Sequence, residues 1–291
     1  MNAQHESSAA SGSVRSTTAS GSVVYESARA VNEYLQFHFG DPKEVVPFSF
    51  APADALAFLP RTVDQCAELV PAGQRRRALD IGCAVGRATF ELSKHFDEAV
   101  GIDFSHHFAD AATQMKELKE MKYEAQIQGD VVQTRVAKLP AGAHPERTRF
   151  EQGDACNLAP SLGPCWNESM QTHVFLLLLA GKFDAVFASN LLCRLPEPKK
   201  FLQEIGGFVA KDGIFALISP YSWLEEYTAK EMWIGGVVGA DGTPVNSFDV
   251  VASLLSADFE LVKRQDYPFM IREHERKYQW GVSDGTFWRR K

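Results

Sequence analysis

Three aspartates and one small-residue turn carry the chemistry legible in this sequence. In "ALDIGCAVGRATFEL" (78–92), Asp80 stands two residues before Gly82, and Gly86 closes the turn after Cys83, Ala84 and Val85. An apolar strand, a glycine-bearing turn and a helix in that order form a cradle at the strand's carboxyl end. A dinucleotide fingerprint would need glycines at 82, 84 and 87. Here 84 is alanine and 87 is arginine, which argues against a pyrophosphate. Asp80 suits an ammonium or a hydroxyl. Asp103, ending "VGID", is placed to accept both ribose hydroxyls, the role of an acid about 20 residues downstream in dinucleotide sites. Asp154, in "FEQGDACNL", ends a third strand and can accept from an adenine amino group. Three acids at three successive strand ends suit a cationic nucleoside without phosphates, and S-adenosylmethionine (SAM) is that molecule.

The elements that must hold these acids follow from apolar periodicity. Strands are predicted over 78–82, 99–103, 148–153, 183–189 and 213–219, with helices over 87–96, 106–121 and 198–210 between them. This alternation predicts an α/β, Rossmann-like doubly wound sheet, mostly parallel and seven-stranded, with helices on both faces. A helix over 247–257 and two long β-rich runs, "FELVKRQDYPFMI" and "RKYQWGVSDGTFWRR", close the sheet, one of them antiparallel. Residues 123–140 alternate apolar and polar around Gly129–Asp130 and predict an inserted β-hairpin. Helical patterns at 26–39 and 52–70 predict an N-terminal helical cap over 23–70. The aromatic and glycine-rich segment 221–245 reads as a lid-like insertion, and 163–182 as an irregular apolar stretch. Residues 1–22, rich in Ser, Ala, Gly and Thr, read as a disordered tail before a single domain over 23–291.

Bulk properties narrow the partners. The 291 residues are 45% hydrophobic and 23% charged, with a net charge of −7 and a pI near 5.7. An acidic chain with only short basic clusters predicts no nucleic-acid and no membrane partner. The longest apolar run, "VFLLLLAG", is too short to span a bilayer. Five cysteines (66, 83, 156, 165 and 193) form no C-x-x-C and no metal-ligand spacing, so a reducing, cytoplasmic setting and no metal site are expected.

Four segments in order, "LDIGCAVGRATFEL", "GIDFS", "FEQGDACNL" and "FDAVFASNLLCRLPEP", resemble the motifs of class I SAM-dependent methyltransferases. Alanine at 84 departs from the usual second glycine. The resemblance implies cofactor roles for Asp80, Gly82, Gly86, Asp103 and Asp154, with Cys83 in the turn. It also implies that Phe104 and Ala155 flank the adenine and that the main chain at Asn190–Leu191 passes the methionine end. "VVYESARAVNEYLQFHFG", "SNLLCRLP", "SPYSWLEEYT" and "IREHERKYQW" further resemble the ovothiol-biosynthesis methyltransferases, which methylate 5-thiohistidine at the imidazole N1 (Nπ). That likeness runs over nearly all of 23–291 and implies a stand-alone methylating partner of a separate sulfoxide synthase or lyase. The stretch 165–182 departs from the family pattern.

Substrate contacts are expected outside the Rossmann motifs, in segments covering the carboxyl end of the sheet. The candidates are Tyr25, Arg29, Tyr34 and His38 from the cap, Arg194 after the fourth strand, and Tyr221 with Trp223 after the fifth. Arg276, Lys277, Tyr278 and Trp280 come from the C-terminal run, where alternation sets 276, 278 and 280 on one face and 277 and 279 on the other, so that the first three act together or Lys277 faces the pocket alone. Methyl transfer rests mainly on positioning, and Asn190, His38 and Tyr221 are the candidates for it. For each residue singly, a surface ion pair or a core aromatic is the competing role. Cys83, Cys156 and Cys193 each follow a predicted strand end, where packing in tight loops is the simpler role. Two other functions compete: methylation of another small amine, thiol or hydroxyl, and a non-catalytic Rossmann-fold interaction protein, against which the three acids count.

Overall fold

Strand alternation with apolar residues on both sides builds the centre of the molecule. In the computed structural model, which describes residues 25–158 and 182–291, β1 (Arg77–Ile81), β2 (Glu98–Asp103), β5 (Thr148–Gln152), β6 (Phe183–Ser189) and β7 (Val209–Ser219) pair in parallel. Leu79, Val100, Val186 and Leu217 face one core, while Ala78, Ala99, Phe187 and Ala216 face the other. A strand buried on both faces reads as a continuous apolar run. With β10 (Phe259–His274) and β11 (Lys277–Arg290) the strand order across the sheet is β10-β11-β7-β6-β1-β2-β5, so the chain winds outward from β1 through β2 to β5 and then returns to β6. The crevice where the winding reverses, between β1 and β6, is where open α/β sheets bind ligands. β11 runs antiparallel to both β7 and β10, closing the seven strands.

The helices flank this sheet. α3 (Phe58–Leu69) and α4 (Arg87–Leu92) bury Phe58, Val63, Cys66, Ala88 and Leu92 on one face. On the other face Phe201 and Leu202 of α6 (Pro198–Glu204) pack with Val251 and Leu255 of α7 (Ser247–Leu255). α5 (His106–Leu118) starts at Ser105, whose hydroxyl accepts from the Phe108 amide at 3.2 Å, a serine N-cap. The predicted hairpin is present as β3 (Glu120–Gln128) and β4 (Val131–Lys138), turning at Gly129–Asp130.

The N-terminal region departs from a simple cap. α1 (Ala28–Phe39), N-capped by Ser27, lies against α5 and the hairpin, burying Leu35 and Phe39 with Phe108 and Tyr123. After the short α2 (Pro42–Val45), α3 joins the helical layer over β6 and β7 through Val63, Cys66, Ala67 and Val70, while Phe58 and Leu59 at its start reach the strand ends. Segment 221–245, which carries the short strands β8 (Val237–Val238) and β9 (Pro244–Val245), is a wall fastened to its neighbours. Trp223 Nε1 donates to Ser247 Oγ at 2.9 Å, Thr228 Oγ1 to the Leu195 carbonyl at 2.7 Å, and Trp233 Nε1 to the Thr228 carbonyl at 2.8 Å. The predicted tail over 1–22 and, except for its last residue, the apolar stretch 163–182 lie outside the described residues.

Candidate active site

The turn after β1 is shaped by what cannot fit beside it. Gly82 and Gly86 adopt φ of +76° and +89°, a region that favours glycine. A Cβ on Gly82 would stand 2.9 Å from the Leu191 side chain, and one on Gly86 2.8 Å from Phe150. Ala84 takes the same left-handed region at φ 46°, and its amide donates to Asp103 Oδ2 at 2.8 Å. Asp103 Oδ1 accepts from the Ser105 amide at 3.0 Å, so one carboxylate joins the turn to the end of β2. Asp80, only 1% exposed, accepts from the Thr89 hydroxyl of α4 at 2.7 Å. Burial pushes Asp80 up to about 7, with the Asp103 charge adding to it. Burial likewise raises Asp103 to about 6, against the pull of the Ser105 and Ala84 amides.

Over these strand ends lies a cavity of about 540 Å³, within the roughly 300–1,000 Å³ of small-molecule sites. Asp80, Gly82, Cys83, Asp103, Phe104 and Ala155 line its floor. Tyr34, Phe37 and His38 of α1 line the opposite side, with Tyr25 just before that helix and Ser222, Leu224 and Tyr227 from the fastened wall. The Tyr25 ring stacks on Tyr227 with centroids 6.0 Å apart and meets Tyr34 edge-on at 6.0 Å. His38 Nδ1 is buried with no partner. Burial, with Arg87 nearby, drives His38 down to about 3, so its imidazole is neutral. Arg87, where a dinucleotide loop would carry glycine, donates from Nη1 to the His38 carbonyl and from Nε to Glu91 at 2.7 Å. It ties α4 to α1. Among the described residues no cluster of three or more His, Cys, Asp or Glu could hold a metal ion, and no helix is long and apolar enough to cross a membrane.

Residues 79–215 match the family described as a methyltransferase domain. The match covers a little under half of the chain and takes in the turn after β1 and the strand ends of β2, β5 and β6. The chain's fold is shared with the magnesium protoporphyrin IX methyltransferase ChlM from Synechocystis PCC 6803. With SAM bound, that structure superposes at a TM-score of 0.51 and 14% identity over 92% of this chain and 94% of that one. With SAH bound, the values are 0.51 and 17% over 92% and 97%. The N-methyltransferase NodS from Bradyrhizobium japonicum WM9, in complex with SAH, gives 0.44 and 13% over 89% and 98%. No curated protein sequence matches the chain.

The fold brings together twelve of the residues singled out in the sequence: Asp80, Gly82, Cys83, Asp103, Phe104 and Ala155 on the floor, and Asn190, Leu191, Arg194, Tyr25, Tyr34 and His38 around it. Gly86 stands behind the turn against Phe150. Asp154 lies between the cavity residues Gly153 and Ala155, but its Oδ1 accepts from the Cys156 amide at 2.8 Å. The remaining candidates do not line this cavity. Arg29, its side chain 84% exposed, pairs with Glu33 at 3.0 Å one helical turn away. Tyr221 has φ 51° and donates to Asp284 of β11 at 3.3 Å, which turns its hydroxyl out of the site. Trp223 is buried in the core beneath the wall, stacked on Trp233. At the β10–β11 tip, Lys277 pairs with Glu273 at 2.6 Å and Trp280 is 57% exposed. Tyr278 donates to the Val45 and Glu275 carbonyls, and the Arg276 amide donates to His274 Nδ1. The same ribbon instead sends Phe269, Ile271 and Gln279 to the cavity. Glu26, Glu33 and Tyr227 also line it. Glu33 lies one helical turn after Arg29, so helical spacing carries its signal; Tyr227 belongs to the non-helical stretch "SPYSWLEEYT", where no periodicity marks it.

Proposed function

We propose that this methyltransferase methylates the imidazole N1 (Nπ) of 5-thiohistidine, giving ovothiol. One observation carries the reading. The four segments that resemble ovothiol-biosynthesis methyltransferases beyond the SAM motifs are far apart in the chain, yet all four reach one cavity. Tyr34 and His38 come from the first, Asn190 and Arg194 from the second, Ser222 and Tyr227 from the third, and Ile271 and Gln279 from the fourth.

SAM, when bound, supplies an electrophilic methyl group on its sulfonium. Asp103, already fixed by two amides, would accept the ribose hydroxyls, and Asp80 would face the ammonium. Phe104 and Ala155 would flank the adenine, with Asp154 toward its amino group. The main chain at Asn190–Leu191 would border the methionine end. Asn190 is itself held, its Oδ1 accepting from Ser283 Oγ at 2.7 Å. A neutral ring nitrogen of the acceptor carries its own lone pair, so the protein's task is positioning and exclusion of water rather than proton abstraction. The neutral imidazole of His38, which lines the cavity, would offer a hydrogen bond to the acceptor ring. A sulfoxide synthase or lyase acting earlier would supply the thiol.

Incubation with SAM and 5-thiohistidine beside plain histidine, followed by mass spectrometry, tests this. A singly methylated thiohistidine is expected. Its absence, or equal turnover of histidine, removes the assignment and leaves another small amine, thiol or hydroxyl as the acceptor.

A further inference from the structure

Charge is distributed unevenly around the cavity. Among the described residues lining it, four are acids, Glu26, Glu33, Asp80 and Asp103, and one is a strong base, Arg194. Glu26 accepts from His107 at 2.7 Å and Glu33 from Arg29 at 3.0 Å, while Asp80 and Asp103 are engaged at the turn. Arg194 forms no ion pair with any described residue. Its guanidinium is nonetheless firmly held. Nη1 donates to the Ser222 carbonyl at 2.8 Å and the Cys193 carbonyl at 3.1 Å, and the group lies 4.6 Å over the Tyr227 ring. A guanidinium held rigidly without a counter-charge is preorganised for a carboxylate fork.

Its position says which ligand brings that carboxylate. Arg194 begins a continuous line of rings: Tyr227, then Tyr25 stacked on it at 6.0 Å, then Tyr34 at 6.0 Å, then His38 at 5.6 Å from Tyr34. That line is the wall facing the SAM turn. An aromatic acceptor lying along it has a ring partner at the His38 end and an anion partner at the Arg194 end.

We propose that Arg194 reads the α-carboxylate of the methyl acceptor, so that the enzyme takes a free amino acid and rejects its decarboxylated amine. This rests on the acceptor being an amino acid, as assigned above. The carboxylate of SAM is the other ligand group with the same chemistry, and the test separates the two.

The SAH-loaded protein is titrated by calorimetry with acid and amine pairs: 5-thiohistidine and 5-thiohistamine, histidine and histamine, tyrosine and tyramine. SAM and decarboxylated SAM are titrated into the free protein. Wild type should bind at least one acid about 100-fold more tightly than its amine. Arg194→Gln should abolish that preference and leave the affinities for SAM and decarboxylated SAM within about threefold of wild type. Arg194→Lys, which keeps the charge without the fork, should retain part of the preference. Unchanged SAM binding also reports that each variant is folded. Equal binding of acids and amines by wild type, binding of neither, or a preference that survives Arg194→Gln overturns the proposal. So does a loss confined to SAM and absent for decarboxylated SAM, which would assign Arg194 to the cofactor. Carboxylate-dependent binding of another amino acid without methylation of 5-thiohistidine would leave Arg194 standing and remove the ovothiol assignment. Methylation of 5-thiohistidine with equal turnover of its amine would do the reverse.

Discussion

Asp80→Asn should make the protein more stable and worse at binding SAM. Asp80 is 1% exposed, and burial holds its carboxyl at about 7 rather than 3.8. Because the folded value is raised, the native protein binds more protons than the unfolded chain between those two values. Stability therefore falls as pH rises through that window, and the full penalty is present above pH 7. Ionising this group in the folded, ligand-free protein costs on the order of 4 kcal/mol at pH 8. Asparagine removes that penalty while weakening the bond accepted from Thr89 at 2.7 Å, a loss of about 1–2 kcal/mol. The net gain of about 2 kcal/mol should raise the Tm of the ligand-free protein by about 5 °C at pH 8. The gain should shrink steadily toward pH 5, where the wild-type carboxyl is already protonated. SAM binding should weaken about ten- to hundredfold, the value of one charge-assisted hydrogen bond. Scanning calorimetry at pH 5 and pH 8 with isothermal titration of SAM reads both signs. A lower Tm at pH 8 together with unchanged SAM affinity would show that Asp80 is a structural acid and refute the reasoning.

SAM affinity itself should fall as pH drops from 8 to 5, because the cationic cofactor favours the ionised forms of Asp80 and Asp103, whose carboxyls sit at about 7 and about 6. Titrations in buffers of different ionisation enthalpy should show proton release near pH 6.5, and a pH-independent Kd would contradict it. Trp223→Ala should destabilise by about 3–5 kcal/mol and raise KM for the acceptor, since it unpins the wall carrying Ser222 and Tyr227; chemical denaturation and steady-state kinetics are the measurements. Lys277→Ala and Trp280→Ala should leave KM within about twofold, as neither side chain lines the cavity. A tenfold rise in KM would mean the β10–β11 tip folds onto the bound substrate.

The parallel core was legible because its physics is local. Strands buried on both faces appear as apolar runs, as "FDAVFAS" does, and a ligand turn needs small residues at fixed spacing. The acceptor side was less legible because it depends on which way a side chain points. Alternation separated Arg276, Tyr278 and Trp280 from Lys277 and Gln279, and it is Gln279, paired with Ile271, that meets the cavity. Alternation alone does not say which of two faces turns to a site, because that depends on how the whole ribbon packs. Tyr221 misled for a related reason. Tyrosine gives no signal for left-handed backbone, yet φ 51° carries its hydroxyl to Asp284 and presents Ser222 to the site instead.

Arg87 joins the two halves. Read along the chain, it is only a residue that spoils a phosphate-binding loop. In three dimensions its guanidinium pairs with Glu91 within α4 and donates to the carbonyl of His38. The helix that leaves the cofactor turn is thereby fastened to the helix that carries Tyr34 and His38 over the cavity. The same positive charge helps keep the His38 imidazole neutral. Glycine at position 87 would still leave alanine at 84, where a dinucleotide loop needs its second glycine, and the floor would remain lined by Asp80 and Asp103, which suit no pyrophosphate. What the substitution would remove is the clamp between cofactor floor and acceptor wall, so departure from the dinucleotide pattern at this position is part of how the site is built.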